Sequence, residues 1–346
     1  MDIRTTLKRL CTTGAPSGFE RPVAVIAKEM LEDLMDEAWI DRLGNAIGVR
    51  RCGKPNAKKL LLDAHLDEIG LVVTGIKDGF LRFATIGGVD PRMLPDRELT
   101  ILTDPTLFGV VACLPPHVLS VQDREKAPPI QEFFVDTGLP QEDAERLIPI
   151  GTPMVFRDSF TPLGEHLLCS KAMDDRACFV ALLRAAELLQ EKELDVDLYI
   201  MGSTAEETGG SGAKVGTQAI NPDFCIAVDV THGKTPDSPG GKTSVVGGGP
   251  AVGIGPNMTR WMTKRMFEKA AAEEIDVQKE VMAGHTGTNG WGMQICNEGI
   301  ATSVLSLPLK YMHTPVEVLD VSDLEQVARL IAAFTVDLGK EGGPEW

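Results

Sequence analysis

Continuous apolar runs alternate along this chain with segments of helical spacing, the pattern of buried strands separated by amphipathic helices. The runs Lys59 to Leu62, Leu198 to Met201, FCIAVDV (224–230) and ATSVLSLPL (301–309) read as interior strands. Helices are expected near residues 3–13, 20–35, 173–191, 258–274 and 320–338. The texture changes between about 70 and 165, where the short β-branched segments FLRFATIGG, ELTILTD and LFGVVACLP are divided by Pro/Gly turns. One short helix is expected there over Gln141 to Leu147. The predicted fold is α/β. A three-layer α/β/α sandwich with a mixed central sheet takes residues 1–69 and 166–346, and a small β-rich, barrel-like domain is inserted over 70–165.

Side chains able to bind metal gather where the apolar runs end. In AHLDEIG, His65 follows a strand and points toward the crevice where open α/β sheets hold ligands. Asp67 stands too near in sequence to be a comfortable second ligand, and is read as the acceptor that orients the His65 ring. In KAMDDRAC, Asp174 and Asp175 fall in the first turn of a helix, where carboxylates are ordinary caps. Asp174 is preferred as a carboxylate bridging two cations, with Arg176 available to pair with the other.

In STAEETGGSGA, Glu206 and Glu207 lie where a strand opens into a glycine-rich loop. Two like charges in an apolar crevice need cations or a shared proton. Metal binding by Glu207 and proton transfer by Glu206 meet that need. Asp229 and His313 also end apolar runs and complete a set of two imidazoles and three carboxylates, which suits two borderline divalent ions better than calcium. Among the other histidines, His285 in a Gly-rich loop is a candidate substrate contact, whereas His117, His166 and His232 read as loop or capping residues. The run GGGP at 247–250 lacks a following Lys-Ser/Thr and reads as a turn, not a phosphate cradle.

Several motifs resemble the co-catalytic metallo-aminopeptidases, and within them the tetrahedral, TET-type family also labelled glutamyl aminopeptidase or cellulase M-like. They are PSGFE (16–20), DRLGNAIG (41–48), AHLDEIG (64–70), AMDDR (172–176), AEETGGSGA (205–213), AVDVT (227–231) and YMHTPVEV (311–318). The resemblance implies that His65 and Asp229 bind one metal and Glu207 and His313 the other, with Asp174 bridging and Glu206 as base. It also implies that the inserted domain drives dimerisation and that dimers build a hollow tetrahedral dodecamer. Three positions depart from the family pattern: Asn289 replaces an acidic residue, Lys171 an Asn and Ser211 an Arg.

The function expected is removal of N-terminal residues from peptides by a water activated between two zinc or cobalt ions. The alternatives are a metal-dependent deacylase of acylated amino acids and, less favoured, a polysaccharide hydrolase using paired carboxylates without metal. With 346 residues and 43% apolar content the chain can bury a sizeable core. A net charge of −16 speaks against nucleic acid and anionic membrane as partners. Seven scattered cysteines without CxxC spacing read as reduced, and no apolar leader or spanning run is evident, so a cytoplasmic location is expected.

Overall fold

A computed structural model describes residues 1–118, 120–121 and 128–341. Its core is an eight-stranded mixed sheet, in the order Glu37–Ile40, Ala46–Arg50, Val196–Ser203, Lys58–His65, Phe224–His232, Ala301–Leu309, Ala251–Ile254, Gln278–Val281. The four central strands, from Val196–Ser203 to Ala301–Leu309, are mutually parallel. Strand periodicity divides their side chains between two faces. Leu60, Leu62, Leu198, Ile200, Ile226 and Val228 enter one apolar cluster with the helices Ile3–Cys11, Arg21–Glu32, Met173–Leu189, Arg260–Ala272 and Val321–Glu341. Leu61, Met201, Cys225 and Ala227 enter another with Ser211–Ile220 and Gly290–Met293. Each fully buried Leu or Ile contributes about 1.5–3 kcal/mol relative to exposure, so this double-sided burial fixes the register that aligns the strand ends.

The helix Ser211–Ile220 was not anticipated. Gly212 and Gly216 weaken its sequence pattern, but both are needed for close packing. A Cβ on Gly212 would lie 2.3 Å from the Thr204 carbonyl oxygen, and one on Gly216 2.3 Å from the Met201 sulfur.

A closed six-stranded antiparallel barrel forms a separate unit, made of Gly70–Lys77, Phe80–Ile86, Phe134–Asp136, Leu107–Ala112, Glu98–Ile101 and Pro153–Phe156. The expected helix appears as Gln141–Leu147. The barrel has its own apolar core, including Leu71, Leu81, Leu99, Val135 and Phe156. Closure leaves it no unpaired edge within the ring. Its first strand begins five residues after His65, so its loops reach the ends of the central strands. A three-stranded sheet, Thr161–Leu163, Leu167–Ser170 and Glu317–Asp320, joins the chain leaving the barrel to the segment that carries His313.

Candidate active site

Parallel strand ends supply the site. Lys58–His65 and Val196–Ser203 run in register with His65 opposite Ser203, and Phe224–His232 lies on the other side of Lys58–His65 with Asp229 near its end. Beyond Ser203 the chain turns, with Ala205 in the left-handed region at φ 55°, and presents Glu206 and Glu207. His65, Asp174, Glu206, Glu207, Asp229 and His313 all line one cavity of about 360 Å3. The structure therefore brings together every ligand candidate named from the sequence, together with the candidate base.

Asp174 occupies the centre. One carboxylate oxygen lies 3.1 Å from His65 Nε2 and the other 3.3 Å from His313 Nε2. His313 Nε2 is also 3.2 Å from Glu207, while Glu206 Oε2 is 4.0 Å from His65 Nε2. The outer nitrogens of both rings are committed. His65 Nδ1 is 3.2 Å from the Asp67 carbonyl oxygen, and His313 Nδ1 donates to the Gly88 carbonyl oxygen at 3.1 Å. Each ring is thereby left with Nε2 toward the cavity.

Two expectations need correction. Asp174 and Asp175 are not caps within a regular first turn: their φ/ψ values of −74°/102° and −120°/24° are non-helical, and a cis peptide joins them. Nor does Arg176 pair with Asp175. Its guanidinium is fully buried on Glu68 and on the carbonyl oxygens of Leu10, Thr13, Ala15 and Leu66. Asp175 instead accepts the His65 backbone N–H at 3.2 Å, and one of its oxygens comes within 4.8 Å of ligand atoms of His65 and Asp229.

Asp67 lies beneath the site. Its carboxylate is 3.5 Å from His65 Nδ1, and it accepts the backbone N–H groups of Glu206 and Glu207 at 3.1 Å each as well as the Ser17 hydroxyl. It holds the turn carrying both glutamates as well as facing the imidazole. Sequence reasoning missed Glu317, although it lies within YMHTPVEV. This buried carboxylate accepts the N–H groups of Met173 at 2.8 Å, Asp174 at 3.2 Å and His313 at 3.0 Å, tying the segments that carry Asp174 and His313 together. Glu68 was missed too, and it anchors buried Lys171 at 2.7 Å. Asn289 donates to both Asp63 and Ser203 at 2.9 Å, beneath the strand ends. His285 is exposed, stacks on Trp291 with ring centroids 4.7 Å apart, and borders a smaller cavity beside Glu206.

Electrostatics indicate what the site is suited to hold. Burial pushes Glu206 up to about 7, with the charges of Glu207, Asp174 and Asp67 adding to the effect, and burial also raises Glu207, Asp175 and Asp229. Burial opposes a charged His313, yet its hydrogen bonds to Asp174 and Glu207 prevail and carry it to about 11. The same two histidines hold Asp174 below the ordinary carboxylate range against its own burial. The carboxylates of Asp174, Asp175, Glu206, Glu207 and Asp229 crowd the imidazoles of His65 and His313, and among the described residues no Lys or Arg lines the cavity. Buried anions in such excess call for cations. The donor set of imidazole nitrogens and carboxylate oxygens, with His65, Asp174 and Glu207 atoms within 4.8 Å of one another, fits divalent metal.

The M42 glutamyl aminopeptidase family model matches residues 44–330. A lysyl aminopeptidase from Pyrococcus furiosus is 38% identical over 338 residues, covering 96% of each chain. Among solved structures, an aminopeptidase from Desulfurococcus kamchatkensis superposes with a TM-score of 0.90 at 34% identity, over 97% of this chain and 94% of that one. The Pyrococcus horikoshii TET1 peptidase, described as able to assemble into a tetrahedron or a large octahedral shell, has a TM-score of 0.86 at 28% identity, over 97% and 100% of the two chains. Fold and site thus define a hydrolase of the aminopeptidase class. The chain belongs to the M42 glutamyl aminopeptidase family.

Proposed function

We propose that the protein removes N-terminal residues from peptides with two divalent ions, zinc or cobalt, held between His65, Asp229, Glu207 and His313 and bridged by Asp174. The observation that carries this reading is the split engagement of Asp174, with one oxygen facing each histidine at 3.1 and 3.3 Å. Such ions, when bound, polarise a scissile carbonyl and acidify water. Glu206 takes the proton of the attacking water and delivers it to the leaving amine, a task suited to a carboxylate whose affinity for protons is raised toward neutrality. Asp67 positions the glutamate pair through their backbone N–H groups and faces the His65 ring. The barrel, residues 70–165 in the sequence reading, is the dimerisation unit, and dimers assemble into a tetrahedral dodecamer, a tetrahedron being one of the two assemblies described for the TET1 peptidase. The enzyme acts in the cytoplasm.

The test is hydrolysis of aminoacyl p-nitroanilides before and after chelation, and again after zinc or cobalt is restored. Loss on chelation with recovery on metal addition supports the reading. Activity indifferent to chelators refutes it.

A further inference from the structure

One carboxylate lining the central cavity takes no part in the hydrolytic centre. Glu280, on the edge strand Gln278–Val281, is partly buried. Its Oε1 accepts the Thr231 hydroxyl at 2.5 Å, whereas its Oε2 is shielded from solvent and has no hydrogen-bond partner in the protein. A shielded oxygen of this kind costs free energy until a donor reaches it.

Its placement gives that donor a length. Thr231 stands two residues beyond Asp229 on the same strand. Their side chains leave the same face about 7 Å apart, at roughly 3.3 Å of rise per residue. Glu280, bonded to Thr231, therefore lies one long side chain away from a ligand position of the hydrolytic centre. The cavity is also lined by Met282 and Met312, apolar groups suited to an aliphatic stem, and among the described residues no Lys or Arg lines it.

We propose that Glu280 selects substrates whose N-terminal residue is basic, lysine above arginine, by receiving the side-chain cation at the far end of the cavity. This rests on the aminopeptidase reading and deepens it. Lysine is favoured because Thr231 already occupies one Glu280 oxygen. A guanidinium fork gains most from two free carboxylate oxygens, whereas an ammonium is a compact charge with three rotatable donors. An N-terminal glutamate, the residue in the family's name, would set a second carboxylate against Glu280.

The experiment compares kcat/KM of the metal-loaded enzyme on lysyl, arginyl, leucyl and glutamyl p-nitroanilides, for the native chain and for Glu280→Gln. The native enzyme should favour lysyl and disfavour glutamyl substrate. Glu280→Gln should lose about 10- to 100-fold on lysyl substrate, the worth of one hydrogen bond to a charged group, while leucyl turnover changes less than about threefold. Equal loss on both substrates in a folded variant would reduce Glu280 to a structural role, and a native preference for leucyl or glutamyl substrate would overturn the proposal directly. If no substrate is cleaved with metal bound, the aminopeptidase reading fails instead. Ligand binding still tests Glu280 in that case: free lysine should raise the Tm of the native chain more than leucine does, and Glu280→Gln should abolish the difference, whose persistence would refute the proposal.

Discussion

Gly88, on a loop of the barrel, and His313, beyond the last strand of the central sheet, are joined by a hydrogen bond of 3.1 Å from the imidazole Nδ1 to the glycine carbonyl oxygen. Through this contact the inserted unit reaches the candidate centre, and Gly87 beside it approaches Glu207. A Cβ at residue 88 would lie 2.7 Å from His313 Nδ1, closer than any side chain tolerates. Gly88→Ala should therefore displace the ring, weaken metal retention and lower kcat, while the fold persists. Metal content after dialysis, beside circular dichroism, reads both effects. Full metal content with native kcat would show that the loop yields freely.

Glu206→Gln keeps the shape of the side chain and removes its capacity to take a proton. Turnover should fall about 100- to 10,000-fold, the usual worth of positioned acid–base catalysis, with both ions retained. Elemental analysis distinguishes the roles, because a variant that loses metal would make Glu206 a ligand.

Glu317 does not line the cavity but receives the backbone N–H groups of Met173, Asp174 and His313. Glu317→Gln presents an amide donor where one acceptor stood. Metal affinity should drop about 10- to 100-fold, as when groups supporting ligands are altered in other metal sites. Chelator competition measures it, and unchanged affinity would assign Glu317 to packing alone.

Asn289 serves Asp63 as a donor, and burial pushes Asp63 up to about 6 despite its hydrogen bonds to Ser203 and Asn289. An Asp at 289 would face it with acceptors only. Asn289→Asp should lower Tm, and Asp63→Asn in the same chain should restore part of the loss by reversing donor and acceptor. Additive losses in thermal denaturation would mean that the two residues do not act as a pair.

Asp323 accepts the N–H groups of Gly247 and Gly249 at 2.7 Å each, and burial nonetheless pushes it from 3.8 up to about 6. Its folded-state affinity for protons thus exceeds the unfolded one. The unfolded chain releases this proton first as pH rises, so the stability of the native chain relative to Asp323→Asn should fall between about pH 4 and 6 and then level off. Denaturant titrations across that range test the sign, and a difference that grows with pH would contradict it.

Much of the site was legible because its residues end long apolar runs, and such runs announce both a buried strand and the edge where it meets the crevice. His65, Asp229 and the Glu206–Glu207 pair are of this kind. Asp175 and Arg176 were read through helix-end statistics, yet their partners are distant: the backbone of His65 and the side chain of Glu68. Glycines misled in two directions. Gly212 and Gly216 concealed a helix, and Gly88 gave no sign that a side chain from residue 313 would press on it. Local pattern records burial and periodicity, whereas these contacts depend on which segments the sheet order brings side by side.

The proposed ligating positions run from residue 65 to residue 313, with the barrel loop seated over one of them. No short stretch of the chain carries a working fraction of the centre. On the proposed mechanism a partly folded polypeptide, or one still lacking its closing strands, would be hydrolytically silent, and peptide cutting would begin only when the two units have docked.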